Sequence, residues 1–199
     1  MSFFTLTLIL FLIMDPVGNI AAYQSLVKGQ VPRRQHRILM RELLIALAFM
    51  LLFNEIGEFI FDYLHLSETT LRISSGVILF LIAIKILFTA PDSLRSNLPH
   101  GEPFIFPLAV PLIAGPGLLA TIMLFAHLED LQSTMILAIL TAWVITAIIL
   151  YFSDKIQKVL GESGLMACER LIGMVIVLIS VQRFLEGILL FWTTQPTPK

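Results

Sequence analysis

Two short stretches of this 199-residue chain hold the residue types that could do chemistry, "MDPVGNIAA" at 14–22 and "AGPGLLAT" at 114–121. In the first, Asp15 is a preferred helix N-cap and Pro16 suits the first helical position, where its missing N–H is not needed. The residue before a proline is also pushed out of the α region, so a helix running through 4–14 should stop at Asp15 and restart. Gly115-Pro116-Gly117 predicts the same restart without a cap side chain, leaving backbone N–H groups open to close approach. A helix N-terminus gathers unpaired donors and about half a positive charge, which favours an anionic group. The preceding half-helices end in free carbonyls that suit a cation. Asp15 is the only acidic residue that this reading places near the middle of a segment. An ionisable group at that depth costs at least about 2.5–3.5 kcal/mol, so it should face protein or water and serve a function.

The chemistry implied is recognition of a small zwitterion, or of an anion with a cation, rather than covalent catalysis. Asp15 can bind a substrate ammonium or a coupling Na⁺ or H⁺, or act only as a cap that shapes a kink. Gly115, Pro116 and Gly117 can cradle a carboxylate or merely bend a helix. Pro16 and Gly18 belong to the first restart, and Asn19 is open to an interhelical hydrogen bond or a substrate contact. Thr121 is equally open. Ser74 and Ser75, beside Gly76, suit small-residue helix packing first and a lining role second.

The elements that must position these residues are transmembrane helices. Of the chain, 57% is hydrophobic and 14% charged, against about 45–50% and about 25% in soluble domains, and the mean hydropathy is +0.91. Six apolar segments, at about 4–24, 38–62, 69–89, 104–126, 133–153 and 168–192, each match the roughly 20 residues needed to cross a bilayer as a helix. They are too long and too continuous for barrel strands, so the fold is expected to be an all-α integral membrane protein. Residues 4–24 read as a retained helix rather than a signal peptide, because no basic residue precedes the apolar run. Asp15 and Gly115 both fall near the middle of their segments, so helices 1 and 4 should be broken near the midplane.

Basic residues set the orientation. The loop "KGQVPRRQHRILMR" at 28–41 is the most basic part of the chain and should face the cytoplasm. Alternation then puts ten of the 13 Lys and Arg inside and three, Arg72, Arg183 and Lys199, outside. Both termini are expected to be extracytoplasmic. Arg183 and Glu186, near the outer end of the sixth segment, could pair, but snorkelling to the interface is the simpler expectation. Lys85 should snorkel to the cytoplasmic face.

The segments also repeat. "SGVILFLIAIKIL" from Ser75 aligns without gaps on "IGMVIVLISVQRFL" from Ile172, placing Gly76 on Gly173, 97 positions on; Pro16 matches Pro116 at an offset of 100. One transmembrane domain, 1–199, therefore reads as two three-helix repeats, about 1–90 and 104–192. Three is odd, so the second repeat must enter from the opposite side, the inverted topology common in transporters with midplane sites on discontinuous helices.

Other classes fare badly. A net charge of −1 gives nothing with which to neutralise many phosphates, so nucleic acid is not expected as a partner. The single cysteine excludes an internal disulfide or cysteine metal cluster, the four histidines are scattered, and no nucleotide, HExxH or CxxC pattern occurs. No resident metal, cofactor or enzymatic activity is expected. The bilayer is the one certain partner, and a homo-oligomer is left open.

With six helices over about 200 residues, "DPVGN" and "PLIAGPGLLAT" resemble the MarC family, whose members are also grouped as small neutral amino acid transporters. The resemblance covers the whole chain and falls on Asp15, Pro16, Gly18 and Asn19, then Pro111, Gly115, Pro116, Gly117, Ala120 and Thr121. It implies a protein of the bacterial inner membrane that moves small neutral amino acids with Na⁺ or H⁺. A passive channel or facilitator is the alternative, because opposed half-helices would also suit a pore constriction.

Overall fold

The computed structural model describes residues 2–27, 30–65, 67–88, 113–128 and 132–194. The first half of the expected fourth segment, 104–112 with Pro111, lies outside them. Among the described residues every regular element is helical: α1 Phe3–Met14, α2 Pro16–Val27, α3 Pro32–Leu64, α4 Glu68–Phe88, α5 Pro116–Leu128, α6 Gln132–Tyr151 and α7 Ser153–Thr194.

The first segment does break where its proline demands. Pro16 has no N–H to return to Leu12, and the Asp15 N–H takes that carbonyl instead, at 3.2 Å. The conformation at the break differs from expectation. Asp15 is left-handed, with φ 42 and ψ 61, where the proline rule predicts extended backbone. The residue closes α1 as its C-cap before it opens α2, and a left-handed residue is the usual way to close a helix. Aspartate is one of the few non-glycine residues that tolerate it.

Four stretches, Phe3–Gln24, Glu68–Phe88, Ser133–Tyr151 and Ser153–Thr193, are long and apolar enough to cross a membrane by length and composition; Pro116–His127 is a shorter apolar helix. Two segments start earlier than hydropathy implies. α3 begins at Pro32, not near 38, and spans 33 residues. α7 begins at Ser153, not near 168, and bends at Gly161, whose φ of 65 and ψ of 178 are open to a residue without Cβ. The outer surface carries apolar side chains such as Phe59 at 73% and Leu178 at 71% exposure, as a lipid-facing surface requires.

Helices α4 and α7 run antiparallel in close contact. Gly76 lies against the main chain of Phe184, Gly173 against Leu87, and Gly187 against Ile73. A Cβ on Gly76 would stand 2.7 Å from the Phe184 nitrogen, so the packing depends on the missing side chain. Ser75, next to Gly76, is buried, with its Oγ donating to the Arg72 carbonyl of its own helix at 2.7 Å. α4 also packs on α5, and α7 on α2. Across the bundle the Trp143 indole donates to the Leu43 carbonyl at 2.8 Å, joining α6 to α3. Gln35 ties the α2–α3 turn by donating to the carbonyls of Val27 and Gln30. Gln24 of α2 donates to Ser153 and Asp154 at the start of α7.

Candidate functional site

The α1–α2 break and the start of α5 converge on one cavity of about 390 Å³. One wall is Ile13, Met14, Asp15 and Asn19; the facing wall is Gly115 to Leu118. α4 closes the side with Ile78, Leu81, Ile82, Lys85 and Ile86, and Glu169 of α7 completes the lining. The volume lies toward the small end of ordinary ligand pockets, which run from about 300 to 1,000 Å³.

At the first wall, Oδ1 of Asp15 accepts from the Gly18 N–H at 3.1 Å, a capping bond on the third residue of α2. Asn19 donates from Nδ2 to the Met14 carbonyl at 2.8 Å, satisfying the end of α1. Both polar residues therefore hold the break together while lining the cavity. The second carboxyl oxygen of Asp15 turns toward Gly18. A Cβ on Gly18 would meet that oxygen, with Asp15 Cγ at 2.9 Å and Glu169 Cδ at 3.1 Å. Two carboxyl groups thus flank a glycine that has no side chain to separate them.

The facing wall lacks a capping side chain. Leu119 N–H makes the first helical bond of α5, to the Gly115 carbonyl at 3.0 Å. The N–H groups of Gly117 and Leu118 precede that bond and have no acceptor within their own helix. Gly117 also lets α5 approach α4, since a Cβ there would lie 2.8 Å from Ile82 Cδ1. The cavity therefore has carboxyl groups on one side, first-turn amide donors of α5 without a partner in their own helix and a helix dipole on the other, and the Lys85 side chain at an exposed edge. Such a box can hold a small molecule carrying both charges.

Of the residues singled out from sequence, Asp15, Asn19, Gly115, Pro116 and Gly117 share this lining. Gly18 adjoins it. Pro16 is buried in the break without lining the cavity. Thr121 is turned back on its own helix, donating to the Gly117 carbonyl at 2.8 Å, and Ser74 and Ser75 of α4 are not among the residues lining the cavity. Glu169 and the aliphatic face of α4 were not anticipated. Glu169 lies one turn before Gly173, and a carboxylate so close to a packing glycine was the available signal.

Asp15 is not the only acidic residue inside the bundle. Because α3 starts at Pro32, Glu42 lies well within it and is fully buried. Its Oε1 accepts from Arg41 Nε and Nη2 at 2.8 and 2.7 Å, while Oε2 has no hydrogen-bond partner among the described residues. Arg183 does not snorkel. It is 7% exposed, donates to Glu186 at 3.3 Å, and lies 5.6 Å from the centroid of the Phe125 ring. Arg72 joins the same carboxylate at 3.8 Å. Among the described residues no group of three or more His, Cys, Asp or Glu is arranged to hold a metal ion.

Comparison with known proteins finds relatives among integral membrane proteins. The family described as MarC family integral membrane protein matches residues 1–191. The UPF0056 inner membrane protein YhgN of Escherichia coli K12 is 48% identical over 182 residues, covering 90% of this chain and 92% of its own. A UPF0056 membrane protein of Buchnera aphidicola (subsp. Baizongia pistaciae) is 44% identical, covering 92% and 94%. A more distant UPF0056 membrane protein from Chlamydia pneumoniae is 32% identical, with 92% of each chain covered. No solved structure matches. With a family match across nearly the whole sequence and relatives of this similarity at full length, the chain belongs to the MarC family of integral membrane proteins.

Proposed function

We propose that this protein is a secondary transporter of small neutral amino acids, or of solutes of similar size and charge, coupled to Na⁺ or H⁺ across the bacterial inner membrane. The observation that carries the proposal is the meeting of the two helix restarts in one small cavity, with Asp15 on one wall and Gly115 to Leu118 on the other. The substrate carboxylate sits on the Gly117 and Leu118 N–H groups. The ammonium, or the coupling cation, sits at Asp15 with Glu169 beside it. Low volume and glycine at both restarts favour small substrates over bulky ones.

Alternating access would come from two inverted repeats rocking about a pseudo-two-fold axis, and the α4–α7 contact supports that symmetry. Shifting both partners of the Gly76–Phe184 contact by the repeat offset of 97, forward for one and back for the other, yields Gly173–Leu87, which also touch. The Trp143–Leu43 bond joins residues 100 apart, close to the same offset, so this pair would sit near the axis. Positive-inside bias orients the α2–α3 turn to the cytoplasm and both termini outward. The location follows that of the Escherichia coli relative, which is named an inner membrane protein.

Purified protein in liposomes, offered labelled glycine, alanine and serine under imposed Na⁺ or pH gradients, tests the proposal. Concentrative uptake that collapses with the gradient is expected. Equilibration alone would make the protein a passive facilitator, and no movement of any small zwitterion would remove the substrate assignment.

A further inference from the structure

We infer that the first three turns of α3 form a binding site for an anionic glycerophospholipid, with guanidinium groups on its phosphate and the continuing helix face along its acyl chains. A cleft of about 500 Å³ lies at the start of α3, lined by Val31, Arg33, Arg34, Arg37, Ile38 and Arg41. Arg33 and Arg37 make no hydrogen bond or ion pair among the described residues, and both are exposed. Arg41 is held by buried Glu42 at 2.7 Å, which fixes its guanidinium at the inner end of the cleft. The planar guanidinium fork matches phosphate oxygens two at a time.

The same helix face shows why the phosphate should belong to a lipid. Arg33, Arg37, Met40, Leu44, Ala48 and Leu52 follow at spacings of three and four, so they share one stripe. All six are exposed, Met40, Leu44 and Leu52 to 44%, 54% and 51%. The stripe passes from arginine to aliphatic side chains without interruption, the order of headgroup and chains in a phospholipid. Orientation bias requires positive charge near this membrane face, but not a cleft that gathers four guanidinium groups above an apolar track. Basic clusters at a membrane face also attract anionic lipid electrostatically.

The test uses the full-length protein in neutral detergent, with native mass spectrometry and thermal unfolding. Phosphatidylglycerol, phosphatidylcholine and inorganic phosphate are the three probes. Phosphatidylglycerol should remain bound and raise the melting temperature, phosphatidylcholine should not, and inorganic phosphate should not displace the bound lipid. Arg33→Gln with Arg37→Gln should weaken phosphatidylglycerol binding at least about tenfold with helix content unchanged. If that pair does not fold, Arg37→Gln alone should show a smaller loss. Equal retention of phosphatidylcholine, undiminished lipid binding in the variant that folds, or displacement by inorganic phosphate would each overturn the assignment.

Discussion

Replacing Asp15 with asparagine separates its two roles, because asparagine keeps the shape and loses the charge. The backbone at 15 is left-handed, with φ 42 and ψ 61, which asparagine adopts as readily as aspartate. Its side-chain carbonyl can still accept from the Gly18 N–H at 3.1 Å. Asp15→Asn should therefore lose less stability than Asp15→Ala, because the cap bond and the left-handed backbone are both kept. Asp15→Ala removes the cap, costing about 0.5–2 kcal/mol, while the Cβ strain of the left-handed backbone, already present in aspartate, is unchanged. Transport should respond in the opposite order of subtlety. A charge-assisted hydrogen bond contributes about 1.5–3 kcal/mol, and each 1.4 kcal/mol is tenfold. Asp15→Asn should thus raise the apparent KM for a small zwitterion, or for the coupling cation, by about 10- to 150-fold. Uptake into proteoliposomes against external substrate and cation, beside thermal melts of both variants, makes the comparison. A native-like KM in Asp15→Asn would refute the binding role and leave Asp15 a cap. A melting loss in Asp15→Asn equal to that in Asp15→Ala would refute the separation itself.

Three further outcomes follow from particular contacts. Gly117→Leu fills the approach to the first-turn N–H groups of α5 and meets Ile82, 2.8 Å from where its Cβ would stand; apparent substrate affinity in the liposome assay should fall at least tenfold with folding retained, about the 1.4 kcal/mol of one lost neutral hydrogen bond. Gly76→Ala places a methyl 2.7 Å from the Phe184 main chain, which cannot rotate away, so a melt in detergent should show about 1–3 kcal/mol of destabilisation. A reporter fused after residue 199 should read as extracytoplasmic, and a cytoplasmic signal would reverse the orientation.

The parts of this architecture legible in the sequence are those set by local chemistry. Pro16 lacks a donor, so α1 had to end near it, and the two restarts could be located and paired from their prolines alone. Hydropathy failed where charge and helix coexist. Four arginines between 33 and 41 read as loop, yet Pro32 starts a helix that carries them in its first turns, and Glu42, next along it, is buried and paired with Arg41. The left-handed Asp15 was missed because the proline rule considers the following helix only, whereas this residue closes the preceding one as well. Glu169, Lys85 and the α4 aliphatics reach the cavity only through the α4–α5 and α2–α7 packing, which no local pattern records. Arg183 was expected at the interface because a lone arginine is costly to bury; Glu186, three residues on, was a legible partner, whereas Arg72 and Phe125 come to this pair only in the folded bundle.

The most direct test of the central claim is the steady-state concentration ratio of a labelled small neutral amino acid across proteoliposome membranes holding an imposed Na⁺ or pH gradient. Coupled transport through the Asp15–Gly117 cavity predicts a ratio well above one that decays to one when an ionophore dissipates the gradient. A ratio that stays at one with the gradient intact, while the solute still crosses, would contradict it.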